Sequence, residues 1–167
     1  MISRLTATLM PSLEQSIQIN ASPETVWSVL ADPTFVPKLY PDILSAEPSE
    51  AGMYKVGTKV KIIGKVAGRK VNINTEVVEL EASKKIVSKQ SPGGVLKTYL
   101  STTTLESNRK GTTVKQKIDY ESSAGYLGKA LSVLVVNRAV RKNIVQSLKI
   151  LKEISELKDL PGPGARP

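Results

Sequence analysis

The residues of this chain able to do chemistry are few, and their spacing decides what they can do. Gln116 sits between Val114 and Ile118 with Tyr120 next in the same phase, so strand alternation puts an amide and a phenol on an apolar face. Thr75 follows Val71 and Ile73 in the same way. A polar group buried there must find a ligand, a water or another side chain, or cost about 1–3 kcal/mol. Tyr99, Thr102 and Thr104 are further candidates, but the stretch Val95 to Glu106 alternates ambiguously. Arg138 stands where an apolar stripe calls for a Leu-like residue. Pointing inward it would meet an anionic head group; otherwise it snorkels to the rim. Trp27 and Tyr40 read as packing residues.

What is missing excludes more. The chain has no Cys and no His among its 167 residues. Disulfides, thiol nucleophiles, imidazole bases, Ser–His–Asp triads and ordinary zinc sites all need residues that are absent. Any proton chemistry falls to Asp, Glu, Lys or Tyr. No metal or cofactor site is expected and no catalytic residue is assigned. Gly93-Gly94 and Gly125 to Gly128 lack the spacing of a phosphate loop or a dinucleotide fingerprint and read as a hairpin turn and a helix entry. Asp119 and Glu121 fall in the outward phase.

The elements that must position these groups follow from periodicity. Leu13 to Asn20 forms a first strand with Leu13, Ile17 and Ile19 on one face. Ser22 caps a helix over Glu24 to Ala31, with Pro23 at its first position. Asp32-Pro33 starts a second short helix that Pro41 closes. Period-2 stretches then succeed one another at 43–48, 58–66, 70–80, 85–90, 95–106 and 112–121. Breaks this short demand antiparallel neighbours. Val60, Ile62 and Val66 oppose Lys59, Lys61 and Lys65, so the basic surplus is largely the solvated face of a sheet. The net charge of +9 concentrates in residues 55–118, with 14 basic and 4 acidic side chains. A long helix, Tyr126 to Leu157, ends the ordered chain, and the apolar turn Leu131 to Val136 is expected to be covered on several sides.

These elements predict an α+β fold: a curved antiparallel sheet of about seven strands around a long C-terminal helix. One domain over 12–158 is expected, with a loose lead-in at 1–11, unconvincing as a signal peptide, and a disordered tail from 159. No apolar run reaches the length of a membrane span.

The run Ile17-Gln18-Ile19-Asn20-Ala21-Ser22-Pro23-Glu24-Thr25-Val26-Trp27, followed by Leu30-Ala31-Asp32-Pro33, resembles the opening of the START-like (SRPBCC, helix-grip) superfamily, in its polyketide cyclase/dehydrase and lipid-transport group. Gly125-Tyr126-Leu127-Gly128 and Arg138 to Lys142 are similar to that group's last helix. At Tyr40-Pro41 many relatives carry Trp before the Pro; Tyr keeps an aromatic there. The resemblance spans about residues 12 to 157. It implies a cavity between sheet and helix holding a small hydrophobic ligand such as a lipid, isoprenoid or quinone, or a cyclase or dehydratase using Tyr99, Tyr120 or Arg138 in the same cavity. The expected lining is Val60, Ile62, Ile73, Thr75, Tyr99, Gln116, Ile118, Tyr120, Leu131, Leu134, Val135 and Arg138. A cytoplasmic setting is compatible with the missing Cys, and a basic exterior suits contact with an anionic membrane. Nucleic acid is disfavoured, because the lysine-bearing faces lack interleaved aromatics.

Overall fold

A computed structural model describes residues 12–66, 68–91, 96–122 and 129–161. The expected lead-in, the Gly93-Gly94 turn, the Gly125 to Gly128 entry and the tail beyond Pro161 lie outside them.

The chain opens with β1 (Ser12–Ile19) and turns into α1 (Pro23–Leu30). Ser22 caps that helix as the sequence predicts: its hydroxyl accepts from the Thr25 amide at 3.1 Å, and Pro23, which has no N–H to leave unsatisfied, follows. Asp32 caps the next turn by accepting from Thr34 N at 2.9 Å. A single turn of 3-10 helix, Pro33–Phe35, leads there into α2 (Val36–Leu39). Six strands follow: β2 (Ile43–Pro48), β3 (Lys59–Val66), β4 (Arg69–Glu81), β5 (Lys85–Gln90), β6 (Leu96–Asn108) and β7 (Gly111–Ser122). The chain then runs into α3 (Lys129–Asp159).

All seven strands form one open, curved antiparallel sheet in the order β1-β7-β6-β5-β4-β3-β2. This is the predicted helix-grip arrangement. The first strand lies beside the last. The tight β6–β7 turn needs Gly111, whose φ is +117° and whose Cβ position would lie 2.9 Å from the Ala21 backbone and closer still to the Ile19 carbonyl.

The core follows the phases read from the sequence. Ile19, Val26, Val29, Val114, Ile118 and Leu151 are essentially inaccessible. Each such aliphatic side chain contributes about 1.5–3 kcal/mol. Trp27 is buried among them, in the packing role expected of it. The C-terminal half of α3 presses Ile144, Leu148 and Leu151 into this core and is tied at its end to β1 and α1. Glu156 accepts from the Asn20 amide at 2.8 Å and pairs with Lys152, whose ammonium also donates to the Gln18 carbonyl at 3.1 Å. Asp159 accepts from the Thr25 hydroxyl at 2.6 Å. Among the described residues, no helix is long and apolar enough to cross a membrane.

One expectation fails. Leu134 and Val135 stand 66% and 63% exposed, so the turn around them is not covered on several sides. The buried side of α3 is a single stripe through Val136, Val140, Ile144, Leu148 and Leu151, and the neighbouring positions at 100° per residue face away from it.

Candidate functional site

The inner face of the sheet is where polar and apolar groups converge. Across β3 and β4, Val60 pairs with Thr75 and Ile62 with Ile73, so four expected lining residues share one patch. Val60 is buried, but Ile62, Ile73 and Thr75 are only half-buried. The cause is the path of α3, which packs on β1, β7, α1 and α2 and leaves the β3–β4 part of the face open.

Toward β7 the face closes. Tyr99 stands directly opposite Tyr120, and Ser101 opposite Ile118. Ile118 and Tyr120 are fully buried, and Gln116 nearly so. Gln116 finds the partner its burial demands: its Nε2 donates to Tyr40 Oη at 3.0 Å and, more weakly, to Ser101 Oγ at 3.4 Å. Tyr40 therefore ties the second short helix to β7 across the inner face. Tyr54 and Tyr99 lie close to Tyr40. Burial chiefly, then Tyr40, pushes both phenols well above their ordinary range. Burial likewise raises Tyr120. These hydroxyls stay protonated at neutral pH, so they can offer a hydrogen to a ligand but not serve as bases.

Tyr120 differs from the others. Its Oη is buried and has no hydrogen-bond partner among the described residues. On the stripe of α3 that carries Val136 and Val140, Asn137 Oδ1 is also buried without a partner among the described residues. Two unmet polar atoms thus border an apolar interior, each of a kind that structures ordinarily satisfy.

The remaining candidates divide. Thr102 and Thr104 fall on the outer face, because Tyr99, Ser101, Thr103 and Leu105 take the inner one. A bulge between Leu96 and Thr98 shifts the phase of β6, which is why its alternation reads ambiguously. Leu134, Val135 and Arg138 lie on the exposed side of α3, away from Tyr99 and Tyr120. The side chain of Leu131 lies outside the described residues. Asp119 and Glu121 face outward as expected, paired with Lys117 at 3.2 Å and Lys97 at 3.0 Å. Sequence reasoning missed Ser101, Thr103 and Asn137. The parity of Tyr99 would have found the first two; Asn137 sits three residues before Val140 on the helical stripe.

Comparisons with known proteins agree with this fold. The architecture is similar to the Zhui aromatase/cyclase of Streptomyces sp. R1128, with a TM-score of 0.81 at 18% identity over 93% of this chain and 99% of that one. It is also similar to TTHA0849 of Thermus thermophilus, with a TM-score of 0.76 at 22% identity over 90% and 100% of the two chains. Major latex-like protein 151 of Panax ginseng matches with a TM-score of 0.65 at 17% identity over 91% and 99%. At these identities the likeness is one of fold. No curated protein matches the sequence. The family model for polyketide cyclase / dehydrase and lipid transport matches residues 10–156, most of the chain, and the protein belongs to that family.

Proposed function

We propose that this protein binds or carries a small hydrophobic molecule, of lipid, isoprenoid or quinone type, against the inner face of its sheet. The observation that carries the reading is the fully buried Tyr120 Oη, without a partner among the described residues, at the closed end of an aliphatic face whose other end, Ile62 and Ile73, is half-open. A ligand lying along this face would cover Ile62, Ile73 and Thr75 and, once the closed end opens to admit it, give the phenol an acceptor. Tyr99 and Gln116 would border its polar end. Such a ligand is mostly apolar with one oxygen function, since the face offers aliphatic area and few polar groups.

The test is titration with an apolar fluorescent fatty-acid probe. Ile73→Trp fills the open end with an indole and is expected to weaken binding about tenfold or more, as loss of roughly 1.4 kcal/mol does. Unchanged affinity in a folded Ile73→Trp protein would remove the inner face as the site.

A second reading has its own support. Tyr99 and Tyr120 are opposed on neighbouring strands and both remain protonated, which suits polarising a carbonyl in a cyclase or dehydratase. Arg138 stands on the exposed side of α3. Turnover of a polyketide-like substrate, lost in Tyr120→Phe, would favour this reading over simple carriage.

A further inference from the structure

The exposed side of α3 carries a charge pattern that the inner face does not explain. From Lys129 to Lys152 the sequence holds six cations and no Asp or Glu; the acidic residues Glu153, Glu156 and Asp159 are confined to the last turns. At 100° per residue, Leu134, Val135, Arg138, Arg141, Lys142 and Lys149 fall within an arc of about 120°. The centre of that arc lies about 140° from the centre of the buried stripe. All six are exposed, and the four cations line one open hollow along the helix.

Part of the sheet's own basic face is different. Lys85, Lys89, Lys97, Lys115 and Lys117 each lie within salt-bridge distance of a carboxylate, on Glu79, Glu76, Glu121, Glu14 and Asp119. Those five charges are answered within the sheet, whereas Lys59, Lys61 and Lys65 on β3 have no carboxylate within 4.0 Å among the described residues. Among the described residues, Arg138, Arg141, Lys142 and Lys149 have no carboxylate within 4.0 Å. Two adjacent aliphatic side chains, more than three-fifths exposed, stand at the end of the same arc. Cations on a helix face beside protruding aliphatics complement an anionic, apolar-cored layer.

We infer that α3 docks this protein on an anionic phospholipid bilayer, with Leu134 and Val135 entering the headgroup boundary and Arg138, Arg141, Lys142 and Lys149 meeting lipid phosphates. The inference does not depend on the ligand-binding reading, because vesicle binding is measured with no ligand added.

The test uses the full chain and vesicles of phosphatidylcholine with or without about 30 mol% phosphatidylglycerol, at about 50 mM and about 300 mM salt. Sedimentation is expected to recover protein with the anionic vesicles only, and less at high salt. Each lost cation lowers partitioning about fivefold. The triple variant Arg138→Ala, Arg141→Ala, Lys142→Ala should therefore lose about 100-fold. Since the chain has no Cys, a single Val135→Cys accepts an environment-sensitive dye cleanly. Its emission should shift to the blue on anionic vesicles, whereas the same dye at Lys61→Cys on the outer sheet should not move. No vesicle binding at low salt overturns the inference and leaves this face to an acidic protein. Full binding by the triple variant, or a dye shift at 61 and none at 135, overturns it equally.

Discussion

Replacing Tyr120 by Phe and Tyr40 by Phe should move stability in opposite directions. Both changes delete one phenolic oxygen from the same inner face. Tyr120 Oη is buried without a partner among the described residues, so its removal relieves a desolvation penalty of roughly 1–3 kcal/mol. Tyr40 Oη accepts from Gln116 Nε2 at 3.0 Å, and without it the buried amide keeps only the 3.4 Å contact to Ser101. Losing one partner of a buried pair costs about 1 kcal/mol. For a chain of 167 residues, about 1 kcal/mol corresponds to roughly 2–4 °C in Tm. Delipidated Tyr120→Phe is thus expected to melt about 2–12 °C above the parent and Tyr40→Phe about 2–4 °C below it. Calorimetry on protein stripped of bound lipid measures both. With an oxygen-bearing ligand present, Tyr120→Phe should instead bind about 2- to 10-fold more weakly, the worth of one neutral hydrogen bond. A stripped Tyr120→Phe protein that melts below the parent would refute the reasoning, since its hydroxyl would then have a partner within the protein.

Other outcomes follow from the same geometry. Gly111→Ala should lower stability by about 2–4 kcal/mol in denaturant titration, because the turn holds φ at +117° and the new methyl would meet the Ile19 and Ala21 backbone. An effect within about 0.5 kcal/mol would mean that the β6–β7 turn relaxes freely. Glu156 is held below its ordinary value of 4.5, first by the Lys152 ammonium and then by the Asn20 amide. A depressed carboxylate stabilises the fold fully above pH 4.5 and loses that contribution as pH falls through its folded value. The gap in Tm between parent and Glu156→Gln should accordingly be widest near neutrality and close below pH 4.5; a gap independent of pH would rule out the ion pair as its cause.

Much of this architecture was legible in the chain because alternation and capping are local. Ser22-Pro23 and Asp32-Pro33 mark their helix starts through hydrogen bonds within three residues. Val114, Gln116, Ile118 and Tyr120 keep strict phase along β7, so their common face could be read directly. β6 resisted because one extra residue at the Leu96–Thr98 bulge reverses the phase, and nothing local announces it. The partner of Gln116 lies 76 residues away, beyond any periodicity. Leu134 and Val135 misled for a different reason. An apolar run predicts burial only if something covers it, and the path of α3 over β1 and β7 leaves that side of the helix bare. The same bare side, read with its cations, is what suggests a lipid surface.

Native mass spectrometry of freshly purified protein, with solvent extraction of whatever is bound, tests the central claim most directly. The account predicts a stoichiometric adduct, mostly apolar with one oxygen function, that Ile73→Trp fails to retain. Protein that emerges empty and takes up no apolar probe afterwards would contradict it.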